Sequence, residues 1–137
     1  FGVKAEAVLG PALLTVAYTG TGNGTSMQSP WSGYPGYTSV QVEDFNRAGE
    51  DAFLLRASYS FRSSPGISVY GLWVNGSDPR SPTEYSRDEY DFNLQWQPVS
   101  GALKGLMFRL RYAYIDQANG TDLTDYRLMV YYDPPKL

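Results

Sequence analysis

Apolar and polar residues alternate along most of this 137-residue chain. In the stretch YDFNLQWQP, residues 90–98, the even-numbered positions are apolar or aromatic and the odd-numbered positions are Asp, Asn or Gln. A period of two is typical of a β-strand with two unlike faces. No window keeps a helical period for more than a turn or two. The pattern therefore predicts an all-β chain of seven strands, over residues 1–9, 12–19, 51–61, 66–75, 85–98, 105–115 and 124–132.

The connections between these strands predict an antiparallel meander whose two ends differ. We expect short connections after the first, third and fifth strands and longer ones after the second, fourth and sixth. The short ones are residues 10–11, 62–66 and 99–105, and the long ones are residues 20–50, 76–84 and 116–123. Tight turns at one end and longer loops at the other are typical of outer-membrane β-barrels.

Alternation alone leaves two interpretations of the apolar face open. A soluble barrel buries that face, whereas a membrane barrel turns it towards lipid. Tyr90 and Trp96, like Tyr126 and Tyr132, bracket an apolar band and lie six residues apart, about 20 Å along a strand. Membrane interfaces favour rings with a polar edge at both ends of such a band. We therefore expect the apolar face to contact lipid, with a soluble β-barrel ligand carrier as the alternative.

Composition argues against several classes of function. The chain has no His and no Cys, which removes the commonest general base and nearly all zinc sites. Its net charge of -3 gives no electrostatic footprint for nucleic acid. The acidic pairs at 43–44, 50–51 and 88–89 are interpreted as solvated charges, and residues 116–122 as a polar turn rather than a calcium loop. We expect no catalytic residue, no metal, no cofactor and no enzymatic activity.

The number of strands indicates that the barrel is larger than this chain. Bacterial single-chain barrels use even strand counts, and about eight strands merely fill their own interior. We therefore expect residues 1–137 to be the C-terminal part of a single outer-membrane β-barrel domain, with a long extracellular loop at about 20–50.

Four stretches in this order carry a specific resemblance. They are FNRAGEDAFLLRASYSF (45–61), PGISVYGLWVNG (65–76), EYDFNLQWQPVSGALKGLMFRLRYA (89–113) and the closing TDYRLMVYY (124–132). Together with the hairpin GPALLTVAYTG they make the chain resemble the OprD family, the substrate-specific outer-membrane porins of pseudomonads and their relatives. The resemblance implies a barrel of about 18 strands, usually a homotrimer, narrowed by loops that fold inward. It also implies a ladder of basic side chains that guides the carboxylates of small solutes through the pore.

Four arginines match basic positions of that ladder and share the polar parity of their strands: Arg56, Arg109, Arg111 and Arg127. The resemblance implies that they form an anion track. Other polar positions expected to line the pore are Ser58, Asp91, Asn93, Gln95 and Asp125. Alternatively, the arginines pair across strands with the two aspartates. Leu72 stands where many family members have a basic residue, so one rung of the ladder is absent or displaced.

The function expected from these patterns is a substrate-selective porin in the bacterial outer membrane. It would take up small carboxylate-containing solutes passively, surrounded by outer-membrane lipid, with no nucleic-acid partner. The alternatives are the soluble carrier and, within the same family, a porin for basic amino acids. Whether the aromatic residues of SPWSGYPGY (29–37) fold over the pore or pack on a neighbour is left open by the sequence.

Overall fold

Seven antiparallel strands form one sheet in the computed structural model, which describes residues 1–29, 34–77, 79–81, 83–118 and 120–133. The strands are β1 (Gly2–Leu9), β2 (Ala12–Gly20), β3 (Asp51–Ser60), β4 (Ile67–Ser77), β5 (Arg87–Trp96), β6 (Leu106–Gln117) and β7 (Leu123–Tyr132). They pair in chain order from β1 to β7. The all-β meander is thus confirmed, and each predicted strand boundary lies within two residues of the observed one. Among the described residues, no helix is long and apolar enough to cross a membrane.

The expected alternation of short and long connections holds only for the first four. β1–β2 and β3–β4 are joined by residues 10–11 and 61–66, whereas β2–β3 and β4–β5 are joined by residues 21–50 and 78–86. The prediction is wrong for the last pair, because residues 97–105 join β5 to β6 and only residues 118–122 join β6 to β7. The cause is that β6 continues to pair with β5 as far as Gln117.

The connections lie at two opposite ends of the sheet. The turn end carries residues 10–11, 61–66 and 97–105, and the loop end carries residues 21–50, 78–86 and 118–122. Residues 30–33 of the longest loop and Asn119 of the last one lie outside the described residues. Gly66 sits in a turn with φ at +90°, and an added Cβ would overlap the carbonyl oxygen of Gln97, so only glycine fits there.

The apolar face of the sheet is open. Phe92 is 47% exposed and Leu128 is 79% exposed, although a soluble barrel would bury both. The polar face instead carries the longest loop, and the small hydrophobic core lies between that loop and the sheet. The core residues are Ala17, Phe45, Ala52, Leu54 and Val74.

The aromatic residues of the apolar face fit tilted strands. Across β6, Tyr90 of β5 is aligned with Thr124 of β7, so Tyr126 lies two residues further along, and Tyr132 shows the same offset from Trp96. Two residues along a strand are about 7 Å, and two strand spacings are about 10 Å, which corresponds to a tilt of about 35°. Strands of outer-membrane barrels tilt by about 35–45°. The offset therefore matches two aromatic belts level with the membrane.

Candidate functional site

The register brings the predicted site residues together on the polar face. Arg111 of β6 is aligned with Asn93 of β5 on one side and with Arg127 of β7 on the other. One row nearer the loop end, Asp91 and Asp125 flank Ala113 in the same way. A third row, nearer the turn end, aligns Gln95 with Arg109. Ser58 and Arg56 lie on β3, on the far side of β4.

Residues 34–50 of the longest loop, named the inward loop, fold over this face. Of the aromatic residues of SPWSGYPGY (29–37), Tyr37 lies against Lys4 of β1, whereas Trp31 lies outside the described residues. Gln41 is the residue most deeply engaged. Its backbone N–H donates to Asp91 Oδ2 (3.2 Å), its Nε2 donates to Asp125 Oδ1 (2.9 Å), and its carbonyl oxygen accepts from Arg127 Nη2 (3.0 Å). A single loop residue is thus bound to both β5 and β7.

Glu89 fixes the next two loop residues. Its carboxylate oxygens accept the backbone N–H groups of Val42 (2.9 Å) and Glu43 (2.8 Å), and the side chain is fully buried. Glu50 is also fully buried, where it forms an ion pair with Arg47. The interpretation of the acidic pairs as solvated charges is therefore wrong for these two residues, because each carboxylate holds part of the loop.

The base of the loop is held by charges and by a close approach of backbone. Arg47 donates to the carbonyl oxygen of Tyr85 (2.8 Å), and Arg87 forms an ion pair with Glu43. A Cβ atom at position 76 would overlap the Phe45 ring, so only glycine at this position lets β4 come this close to the loop. Together these contacts fix the loop against the polar face of the sheet.

The arginines differ in what they contact. Arg56 donates from Nε to Ser58 Oγ (3.1 Å) and its guanidinium lies 4.0 Å from the centre of the Tyr70 ring. Arg109 donates from Nε and Nη2 to Gln95 Oε1, at 3.1 and 2.5 Å. Neither contact supplies a negative charge, so both guanidinium groups keep their positive charge available.

Arg127 is the one arginine of the four that pairs with a carboxylate among the described residues. It binds Asp125 with two hydrogen bonds, of 2.9 and 3.1 Å, and the partner lies two residues along its own strand. The alternative of ion pairing is therefore realised here, although along β7 rather than across strands. Arg111 has no such partner in this part of the chain, and its buried Nε has no hydrogen-bond partner.

Leu72, which departs from the family's basic pattern, lies on the polar face and packs with Val40 against the core beneath the loop. At position 72 an apolar side chain that packs beneath the loop thus stands in place of the basic residue expected from the resemblance. Among the described residues, no group of His, Cys, Asp or Glu could hold a metal ion.

Three cavities follow one another along the polar face. The first, the loop-end cavity, has about 320 Å³ and is lined by Val40, Leu72, Asp91, Arg111, Arg56 and Tyr70, among others. The second, the turn-end cavity, has about 270 Å³ and shares Arg56 and Tyr70 with the first, adding Asn93 and Arg109. A third, of about 550 Å³, shares Ser60, Ser68 and Gln95 with the second and opens among the turns. Neighbouring cavities share lining residues, so the three follow one another along the polar face from the loop end to the turn end.

Sequence reasoning missed Gln41, Glu89 and Tyr70. Glu89 had a signal, since it lies on the polar parity of β5 two residues before Asp91. Gln41 had none, because its role arises from contacts with residues up to 86 positions away.

An open apolar face with two aromatic belts, a polar face and a loop folded over that face define an outer-membrane β-barrel porin. The family model described as "outer membrane porin, OprD family" matches residues 1–135, and the chain belongs to this family. No curated protein matches the chain.

Solved porins of Pseudomonas aeruginosa are similar in structure. OccK5 (OpdH) is 26% identical with a TM-score of 0.83, and the match covers 96% of this chain and 38% of that one. OccK9 (OpdG) is 26% identical with a TM-score of 0.88, covering 96% and 35%. OccK3 (OpdO) is 24% identical with a TM-score of 0.87, covering 96% and 37%. The chain thus spans less than two fifths of the length of these porins.

Proposed function

We propose that these strands belong to a passive, substrate-selective porin that takes up small carboxylate-containing solutes through an arginine-lined pore. The observation that carries the proposal is that Arg56, Arg109 and Arg111 line the cavities without an ion pair to any described carboxylate. Several like charges kept unneutralised on one wall attract and orient anions. Guanidinium groups also match the planar geometry of a carboxylate.

The path along the wall offers these arginines in sequence. Arg111 and Arg56 line the loop-end cavity, and Arg56 and Arg109 line the turn-end cavity. Arg109 and Arg111 lie on the same face of one strand, about 7 Å apart. A carboxylate can therefore pass from one guanidinium to the next without losing all its partners, and weak, multiple sites are what permeation requires.

We also propose that residues 1–137 form the C-terminal part of one larger barrel of about 18 strands, assembled as a homotrimer in the outer membrane. The family membership and the partial coverage of the solved porins support the larger barrel. The trimer rests on the family resemblance, and the mass of the protein purified in detergent would test it.

The alternative of a basic amino acid porin has less support. Such a pore needs several uncompensated carboxylates, but on this wall Glu89 is occupied by loop N–H groups and Asp125 by Arg127, which leaves one unpartnered oxygen on Asp91. The family membership also decides against the soluble carrier.

The test is to record the conductance of the full-length porin in a planar bilayer while benzoate-type acids are added to one side and arginine to the other. We expect the acids to block the current, and we expect Arg109→Gln/Arg111→Gln to weaken that block at least tenfold, since each charged hydrogen bond contributes about 1.5–3 kcal/mol.

Arg62→Gln is the matched control, because it removes a positive charge from the exposed turn and leaves the lumenal wall unchanged. Its block by the acids should equal that of the wild type. Block that survives the double substitution would overturn the arginine track, and a folded protein with no conductance would overturn the channel itself.

A further inference from the structure

Three buried side-chain oxygens, one on the inward loop and two on β5, have no hydrogen-bond partner. They are Gln41 Oε1, Asp91 Oδ1 and Asn93 Oδ1. Their residues are only 6%, 5% and 3% exposed. Buried acceptors in folded proteins are normally satisfied, so each exception needs an explanation. Three exceptions close together indicate a place where hydrogen-bond donors come from outside the protein.

The three residues, named the acceptor cluster, are neighbours. Gln41 donates its backbone N–H to the other carboxylate oxygen of Asp91, and Asn93 lies two residues along the same face of β5. Two nearby donors are already committed, because Gln41 Nε2 binds Asp125 and Arg127 binds Asp125 and the Gln41 carbonyl, whereas the buried Nε of Arg111 has no partner. Three unpartnered acceptors therefore stand against one unpartnered donor. The protein thus has a local surplus of acceptors.

Arg111 stands beside this surplus. It is aligned with Asn93 across the β5–β6 pair, where Cβ atoms are about 4.5–5.5 Å apart. Asp91 and Arg111 line the loop-end cavity and Asn93 lines the turn-end cavity. Asp91 and Asn93 therefore lie along these two neighbouring cavities, and Gln41 is held against Asp91 by its backbone N–H.

We propose that the acceptor cluster is a subsite for a hydrogen-bond donor that the solute carries next to its carboxylate. The preferred solutes are then short hydroxy- or amino-carboxylates, whose carboxylate binds Arg111 while the hydroxyl or ammonium group binds the unpartnered oxygens. A plain carboxylate brings only acceptors and would add to the surplus. The inference rests on the proposed function, because it assumes that Arg111 binds the carboxylate.

The experiment measures uptake of labelled propionate, lactate and alanine into proteoliposomes that contain the full-length porin. These solutes have the same carbon skeleton and differ at C2, which carries hydrogen, hydroxyl or ammonium. We expect lactate, alanine or both to enter about fivefold faster than propionate at low concentration, as one added hydrogen bond would give. The faster of the two identifies the donor as hydroxyl or ammonium.

Asn93→Leu removes one acceptor at nearly constant volume, and we expect it to lower the ratio of lactate or alanine uptake to propionate uptake at least threefold. Asn93→Asp keeps the acceptor, adds a charge and should favour alanine over lactate. Thr15→Val is the matched control, because it makes a similar polar-to-apolar change on the same wall, on β2. It should leave the ratios unchanged.

Equal uptake of the three solutes by the wild type would overturn the donor subsite and leave the porin proposal standing, since propionate would still permeate. A preference that survives Asn93→Leu unchanged would overturn the placement of the subsite. Failure of all three solutes to enter would contradict the porin proposal itself.

Discussion

Arg111 and Arg127 lie directly opposite each other on neighbouring strands, and their surroundings separate their roles. Like charges in that position destabilise a sheet. Asp125 offsets the charge of Arg127, which also holds the loop through Gln41, whereas Arg111 forms no direct ion pair and interacts with Asp91 and Asp125 only at longer range. The repulsion between the two arginines lowers the stability of the sheet. Such a loss of stability is expected where function uses the charge.

Gly66 illustrates a constraint that acts on a single residue of the scaffold. We predict that Gly66→Ala destabilises the folded barrel by more than about 2 kcal/mol, because alanine at positive φ is strained and its Cβ would overlap the Gln97 carbonyl. The measurement is the unfolding midpoint in urea of the porin in detergent micelles.

Gly71→Ala is the control for this substitution, since Gly71 has ordinary strand geometry and the nearest atom to an added Cβ is the Asp91 carbonyl oxygen at 3.9 Å. It should unfold at nearly the wild-type urea concentration. Equal midpoints for the two variants would contradict the turn geometry.

At the scale of elements, the sequence predicts the strands well and the longest loop poorly. Strand faces follow from local alternation, so the parity of Arg56, Arg109, Arg111 and Arg127 can be read directly. The loop has no period, and its position depends on partners up to 86 residues away, such as Glu89, Asp125 and Arg127. The connection between β6 and β7 is shorter than the sequence predicts for a related reason, since pairing with β5 extends β6 beyond its apolar pattern.

The attachment of the loop leads to a prediction about pore size. Glu89→Gln replaces one of the two oxygens that accept the N–H groups of Val42 and Glu43, and an unmet buried donor costs about 1–3 kcal/mol. We expect the loop to move away from the wall part of the time, which raises the single-channel conductance and its noise in a planar bilayer.

Asp88→Asn makes the same chemical change one residue earlier, on the opposite face, where Asp88 accepts from Trp73 Nε1 (2.6 Å). Its conductance should match that of the wild type. A Glu89→Gln pore as narrow and quiet as the wild type would show that the loop is held mainly by other contacts.

At the scale of the whole molecule, the two faces of the sheet carry opposite solvation. The apolar face leaves Leu55 47% and Tyr126 73% exposed, whereas the polar face buries Thr15, Glu89, Asp91 and Asn93. Burial of polar side chains combined with exposure of apolar ones is the reverse of a soluble protein and suits a wall between lipid and water.

This contrast predicts opposite outcomes for one substitution at two adjacent positions. Ala57→Arg places a charge on the apolar face and should cost about 2–4 kcal/mol near the bilayer midplane. Ser58→Arg places the same charge on the polar face and should fold normally. The measurement is the folded fraction in lipid vesicles as a function of urea, and equal stability of the two variants would contradict the assignment of faces.

The inward loop is joined to β2 and β3 but binds residues of β5 and β7 that lie up to 86 positions further along the chain. Those contacts cannot exist until the later strands have been placed in the sheet. Closing such long chain segments is slow compared with forming neighbouring hairpins. The loop therefore takes its position on the polar face last, after the sheet has formed. An incompletely folded barrel should accordingly have the loop free to move away from the wall.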